Sequence, residues 1–485
     1  MNYKMMSRFL SQILAVEAVF MLPSLVIALC DGTLGVARAF GISILLILGV
    51  AGLFALYGLR APRGFFAKEG LFCVGISWIL MSLFGCLPFT LSGEIPQYID
   101  ALFEIVSGFT TTGASVVSDV EALSRATLYW RSFSHWVGGM GVLVFLLALI
   151  PAGGKNEGFT VHLLRAESPG PNVGKLVPRM RRTAAVLYVT YLVLTVFNLV
   201  FLLLGGMPFF EALCTAFGTA GTGGFGIKND SMAGHSPYLQ NVCTVFMFLF
   251  GINFSCYYLL LLRRVRDVLR DEELRLYIGV VVTSILLITF NLRGLYGSFW
   301  DGLRHAAFQV SSIVTTTGFS TADFDLWPAF SKGILLFLMM IGACAGSTGG
   351  GFKCVRALLL LKGVRRNISQ VLRPQRVEVI RMNGSPVNER IVTGTNAYLG
   401  AYVLILIVSF LLISIDGFSV MTNFSAVLAC FNNIGPGFDA VGPTCNFSLF
   451  SGFSKLILIV DMLAGRLEIF PILVLFSAHT WKRNR

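Results

Sequence analysis

The chain has 485 residues, of which 55% are hydrophobic and 13% charged, against about 25% charged in ordinary soluble proteins. A water-soluble globular protein is excluded. The net charge of +12 does not point to nucleic acid, because 28 of the 37 Lys and Arg lie in six segments bordering apolar runs, where membrane insertion accounts for them.

In chain order, the first apolar run, Phe9 to Cys30, carries Glu17 and Pro23 and lacks a small-residue cleavage site, so it reads as a retained spanning helix. Phe40 to Leu59 is a second. After this pair come four short apolar stretches, each too short to cross a bilayer and better read as re-entrant or buried: Tyr98 to Phe109, Pro208 to Phe217, Phe299 to Val314 and Thr422 to Phe431. Each is followed by a glycine-bearing segment: SGFTTTGAS (Ser107 to Ser115), TAFGTAGTGG (Thr215 to Gly224), SIVTTTGFS (Ser312 to Ser320) and ACFNNIGPGF (Ala429 to Phe438). Full-length runs flank every one, so the unit is span, half-length helix, glycine loop, span.

This predicts an all-α integral membrane protein of about ten transmembrane helices, with four such units around one central pore. The boundaries are 1–67 for the leading pair, 68–155, 156–265 and 266–365 for the first three units, the third having a broken second helix, and 366–485 for the fourth. Basic residues cluster at Lys4 and Arg8, Arg60 to Lys68, Lys155 to Arg182, Arg263 to Arg275, Lys353 to Arg390 and from Lys482 onward. All fall on one side if the half-length helices enter and leave by the opposite face, which places both termini in the cytoplasm. Asp100, Asp119, Asp301, Asp323 and Asp439 then lie on the outer side, where they can draw cations.

Non-helical backbone at membrane depth survives only where it is buried in protein or lines a watery cavity. Four such loops suggest one shared pore, in which carbonyl rings replace the hydration shell of a monovalent cation. Glycine permits the positive φ that turns carbonyls inward. The expected filter is Thr110, Thr111, Thr112 and Gly113; Gly218, Thr219, Ala220 and Gly221; Thr315, Thr316, Thr317 and Gly318; and Asn432, Asn433, Ile434 and Gly435, with threonine hydroxyls adding oxygens. In the second loop Gly224 can align with Gly318 in place of Gly221. Gly221 is preferred, since Ala216-Phe217 then matches Cys430-Phe431 and the loop lengths agree.

The span from Ala329 to Leu361 is interrupted at Gly342 to Lys353, where glycines would cost a helix roughly 1 kcal/mol each relative to alanine. Gly346, Ser347, Thr348, Gly349, Gly350, Gly351 and Lys353 are read as a mobile constriction beneath the loops; the alternative is close helix packing through Gly346-x-x-x-Gly350. Arg466 lies midway in the last span, Phe453 to Trp481, and an intramembrane cation there is a functional candidate that would tune flux. Its alternative is a structural pair with Asp461 or Glu468.

The TTTG loops, NNIGPGF and MLAGRLEIFPIL (Met462 to Leu473) resemble the TrkH type of potassium uptake protein, in the superfamily of the Trk and Ktr subunits and the plant HKT transporters. The resemblance covers nearly the whole chain. It implies potassium uptake across the bacterial inner membrane, a homodimer with a pore in each subunit, an intramembrane gating loop at the Gly342 to Lys353 break, and a cytosolic nucleotide-binding regulatory partner of the TrkA type. In that family, glycine at all four loop positions accompanies potassium and serine in the first accompanies sodium; all four are glycine here. The chain itself is expected to hold no cofactor, potassium being its substrate, and to contact membrane lipid but no nucleic acid. Four units running in the same sense favour a regulated channel-like pore over a symporter coupled to protons or sodium, which would be expected to show inverted repeats.

No enzyme is read. The five histidines are isolated, without HExxH or GxSxG, and the ten scattered cysteines form no CxxC pair. Gly221-x-Gly223-x-x-Gly226 has no preceding strand, and Gly346 to Lys353 misses the phosphate-loop pattern because Phe352 separates lysine from glycine.

Overall fold

A computed structural model describes residues 2–59, 67–139, 141, 180–375 and 377–476. Most of the Arg60 to Lys68 and Lys155 to Arg182 basic segments, and the tail from Lys482, lie outside the described residues. The leading helices Tyr3–Cys30 and Leu34–Gly58 lie against each other. They are joined by a tight turn at Gly32, φ +70°.

Four sets of helices follow. The first is Ala67–Gly85 with Leu87–Ser92, then Tyr98–Phe109 and Arg125–Gly139; the second is Met180–Leu204, Phe209–Gly221, and Pro237–Phe250 with Phe254–Leu261. The third is Glu272–Asn291, Phe299–Val314, and Ala329–Ile341 with Cys354–Leu372; the fourth is Glu389–Ile413, Val420–Phe431, and Gly452–Arg466 with Phe470–Phe476. The middle member of each set is short and its C-terminal half is almost wholly buried. The opposite, N-terminal ends lie nearer the surface, where Ser298 and Ser419 cap the third and fourth by accepting from the Trp300 and Thr422 amides at 3.3 and 3.1 Å.

Six described helices are long and apolar enough to cross a membrane, or seven if the bent pair Pro237–Phe250 and Phe254–Leu261 is one span. The difference from about ten has a physical cause in three of the sets, whose closing spans are interrupted, while the closing helix of the first set, Arg125–Gly139, ends beside residues outside those described. Pro237–Phe250 and Phe254–Leu261 meet at 87°, twelve residues separate Ile341 from Cys354, and the last span turns at Glu468 and Ile469, both at positive φ (62° and 64°). Only the interruption in the third set was expected from the sequence.

The basic segment Lys353 to Arg390 is not a plain loop. It continues the helix Cys354–Leu372 into a hairpin, Arg381–Met382 paired with Ser385–Pro386, around Asn383 and Gly384 at φ 49° and 77°. Asn-Gly favours this turn because both residues tolerate left-handed backbone. Asn383 in turn accepts from the Glu272 amide at 2.9 Å and donates to Asp271 at 2.8 Å, so the hairpin sits on the start of the third set.

Candidate functional site

Each short helix ends in the same motif. Thr111 and Thr112 donate to Gly108 and Ser107 (3.1 and 2.8 Å), Thr316 and Thr317 to Ile313 and Ser312 (3.1 and 2.8 Å), and Asn433 and Ile434 to Cys430 and Ala429 (3.2 and 2.8 Å). Thr111, Thr316 and Asn433 are left-handed, with φ 56°, 60° and 55°, and two residues later Gly113, Gly318 and Gly435 have φ 81°, 86° and 100°. This is a Schellman closure whose left-handed residue is Thr or Asn in place of the usual glycine.

The second loop repeats the motif in a register that corrects the sequence reading. Thr222 and Gly223 donate to Thr219 and Gly218 at 3.2 and 2.9 Å, with Thr222 at φ 52° and Gly224 at 74°. Gly224 is therefore the partner of Gly113, Gly318 and Gly435. Gly218, Thr219, Ala220 and Gly221 lie in the last turn of the helix, so the loop proper is Gly221, Thr222, Gly223 and Gly224. The Ala216-Phe217 match misled because the residue in register with Phe109, Val314 and Phe431 is Ala220, three places further along the chain.

The four glycines meet in a closed ring. A Cβ on Gly113 would collide with the Gly223 carbonyl oxygen, one on Gly224 with Thr317, one on Gly318 with Ile434, and one on Gly435 with Thr112 at 2.8 Å. Each collision is with the next loop's carbonyl at the position before its glycine, and the fourth returns to the first. Carbonyls of Thr112, Gly223, Thr317 and Ile434 thus occupy equivalent places around one axis. Any side chain at the glycines would displace them.

The threonine hydroxyls mostly hold the loops in shape. Thr110 bonds the Val106 carbonyl (2.6 Å) and Thr112 (2.8 Å), while Thr315 bonds Ser311 (2.6 Å) and Thr317 (2.8 Å). In the fourth loop the asparagines reach outward: the Asn432 amide donates to the Tyr402 hydroxyl at 2.8 Å, and Asn433 donates to Thr112 and to the Met462 carbonyl, both at 3.0 Å. These bonds leave backbone carbonyls for an ion, together with the buried Thr111 hydroxyl and Asn433 Oδ1, which have no hydrogen-bond partner among the described residues.

Sequence reasoning missed the side chains that brace the first two loops. Arg131, 2% exposed, pairs with fully buried Glu104 at 2.6 Å. Glu104 also accepts from Ser115 (3.0 Å) and the Val116 amide (3.0 Å), and the Arg131 guanidinium lies 4.2 Å from the Phe225 ring centre. His135, also fully buried, has Nδ1 2.8 Å from the Gly108 carbonyl, while Nε2 accepts from the Phe225 amide at 3.2 Å. A neutral imidazole donating from Nδ1 satisfies both bonds. The rule that singled out Arg466, the cost of charge at membrane depth, applies equally to Arg131 and Glu104.

The Gly342 to Lys353 break lies directly against the helix ends of the third and fourth loops. The Gly350 amide donates to the Thr316 hydroxyl at 2.6 Å. A Cβ on Gly349 or Gly350 would fall 2.8 Å from the Thr315 oxygen or 2.6 Å from the Asn432 oxygen. The Phe254 amide donates to Gly346 (3.0 Å), the Ala345 amide to Glu273 (2.6 Å), and Thr348 to the Phe250 carbonyl (3.2 Å). Gly342, Gly346, Gly351 and Lys353 have positive φ, so the alternative of a small-residue helix face through Gly346 and Gly350 does not hold. Lys353, 1% exposed, donates back to the Gly349 carbonyl; Ser347 bonds Cys344 at 2.6 Å.

Arg466 donates to the Thr348 carbonyl at 2.9 Å, to Gly139 at 2.9 Å and to Gly138. One guanidinium thus joins the fourth set, the broken span of the third and the end of Arg125–Gly139 in the first. A group reaching three of four sets lies near their common axis, on the helix-end side of the ring. Of the acids considered as its partners, Asp461 accepts from Ser409 at 2.7 Å and Glu468 pairs with Arg356.

Comparison with known proteins agrees with this arrangement. The family model TrkH, described as a cation transport protein, matches residues 53–294 and 300–483. The chain is 37% identical over 456 residues to the Trk system potassium uptake protein TrkH of Salmonella typhimurium (92% of this chain, 93% of that one). It is 33% identical over 490 residues to its namesake from Halomonas elongata, covering 100% of both. The crystal structure of the potassium transporter TrkH from Vibrio parahaemolyticus superposes with a TM-score of 0.87 at 32% identity, over 99% of this chain and 100% of that one. With the family model matched along most of its length and curated relatives above 30% identity end to end, the chain belongs to the TrkH family of cation transport proteins.

Proposed function

We propose that this chain carries potassium across the bacterial inner membrane through a channel-like pore, for uptake, and that it is not an enzyme. The observation that carries the reading is the closed ring in which each loop glycine abuts the next loop's carbonyl. Four inward carbonyls at one level offer a monovalent cation a replacement for its hydration shell, and the short helices bring their negative C-terminal ends toward the same axis. The relatives' printed name supports potassium as the ion.

In this reading the filter is Thr110 to Gly113, Gly221 to Gly224, Thr315 to Gly318 and Asn432 to Gly435. The Gly346 to Gly351 segment with Lys353 and Arg466 forms the gate on the cytoplasmic side, and both termini are cytoplasmic. The relatives' description as part of a Trk system supports a regulatory partner, which we take to be a cytosolic nucleotide-binding subunit of the TrkA type acting on a homodimer of this chain. Such a partner works by binding open and closed states with different affinity, and the Cys354–Leu372 helix, continuous with the gate, gives it a short path. Potassium flux into liposomes holding only this chain tests the function: flux of potassium well above sodium supports it, and the absence of cation flux sinks it.

A further inference from the structure

We infer that the gate has a second moving part: the break at Leu467 to Ile469 in the last span, held bent by a partly buried latch between Arg356 and Glu468. The inference rests on the gate reading above.

The break has the geometry of a helix that has been made to stop. Glu468 and Ile469 donate back to Gly465 and Ala464 at 3.4 and 2.7 Å, with φ 62° and 64°. A left-handed β-branched residue is a genuine outlier, and Ile469 is fully buried, with no glycine at either left-handed position of the turn. Such strain persists only where surrounding contacts over-determine it. The contact here is electrostatic. Arg356, 6% exposed, pairs with Glu468, donates to the Phe352 carbonyl at 3.0 Å and lies 3.7 Å from the Tyr398 ring centre.

These residues close a circuit. Arg356 stands three residues beyond Lys353 on the helix that leaves the gate segment, and Glu468 stands two residues beyond Arg466, whose guanidinium holds the Thr348 carbonyl of that same segment. Pulling Cys354–Leu372 from the cytoplasm draws Arg356 off Glu468. Freed, residues 467–469 leave the left-handed region and Gly452–Arg466 swings relative to Phe470–Phe476, with Pro471 keeping the join kinked, which turns Arg466 away from Thr348. Arg356 and Glu468 are thus positioning residues for the gate, remote from the ring.

The test uses the full chain in liposomes, reading potassium flux and the potassium-to-sodium ratio. Arg356→Gln and Glu468→Gln should each raise basal flux about tenfold, equivalent to ~1.4 kcal/mol at the gate, with the ratio unchanged. The doubly reversed Arg356→Glu, Glu468→Arg should return toward the parent flux. Ile469→Gly, which removes the strain favouring departure from the left-handed region, should lower basal flux. Deletion of Gly346 to Gly351 serves as the control. If the deletion raises flux but the single substitutions leave it at the parent level, lower it, or change the ratio, the latch is wrong and the gate reading stands. If the deletion leaves flux unchanged, the gate reading fails and the latch with it.

Discussion

Replacing Gly224 by alanine should cost the chain its cation selectivity, and the size of the effect follows from local geometry. Gly224 has φ 74°, where alanine is disfavoured by roughly 1–2 kcal/mol. Its Cβ would press on the Thr317 carbonyl oxygen and lie 3.0 Å from the carbonyl carbons of Thr317 and Gly318, whereas ordinary contact begins at 3.4 Å. Relief requires the Thr317 oxygen to retreat by ~1 Å or more. A displacement of that size in one member of a four-membered ring should reduce the potassium-to-sodium ratio by about tenfold, or ~1.4 kcal/mol of discrimination. Gly218→Ala provides the contrast, since its Cβ would meet the Phe319 ring tip at 2.9 Å and no ring carbonyl; it should affect expression more than selectivity. Bi-ionic reversal potentials of both variants in planar bilayers measure the difference. A Gly224→Ala protein that keeps the parent ratio, beside a Gly218→Ala protein that loses it, would refute the register assigned to the second loop.

Other outcomes follow from the same contacts. Glu104→Gln should destabilise the protein by about 3–5 kcal/mol, because it leaves the Arg131 charge buried without its counter-charge; thermal unfolding in detergent reads this, and an unshifted transition would show the pair to be dispensable. Arg466→Gln, which removes a cation near the axis and weakens the tie to Thr348, should raise single-channel conductance for potassium at unchanged selectivity, and an unaltered conductance would place the guanidinium off the ion path. Neutralising Arg365 and Arg373 should weaken binding of the cytosolic regulatory subunit in pull-downs made without anionic lipid; undiminished binding would remove this segment from the docking surface. Arg366 is a poorer choice, being paired with Glu389 at 2.9 Å, and Arg376 lies outside the described residues.

The first, third and fourth loops could be read from the sequence because their glycines follow a short helix at a fixed distance, and the structure gives all three one backbone motif. TAGTGG contains three glycines within four residues, so spacing alone allowed two registers; hydrogen bonds from Thr222 and Gly223 decide between them. The glycine-rich break at Gly342 to Lys353 announced itself through composition. The turn at Glu468 and Ile469 did not, although Gly465 and Pro471 flank it, because neither stands at the two left-handed positions and the contact with Arg356 is 112 residues away in the chain. Arg131 and Glu104 were open to the same charge rule as Arg466, but the ties of Arg131 and His135 to Phe225 and Gly226 in another set could not be read from periodicity within one segment.

The most direct test of the central claim is the reversal potential of the purified chain in a bilayer with potassium on one side and sodium on the other, for the parent and for serine at each of Gly113, Gly224, Gly318 and Gly435. A carbonyl ring assembled from four equivalent loops predicts a parent potential near the potassium equilibrium value, with every one of the four substitutions shifting it toward zero. A parent potential near zero, or a shift confined to one loop while the other three tolerate serine, would contradict it.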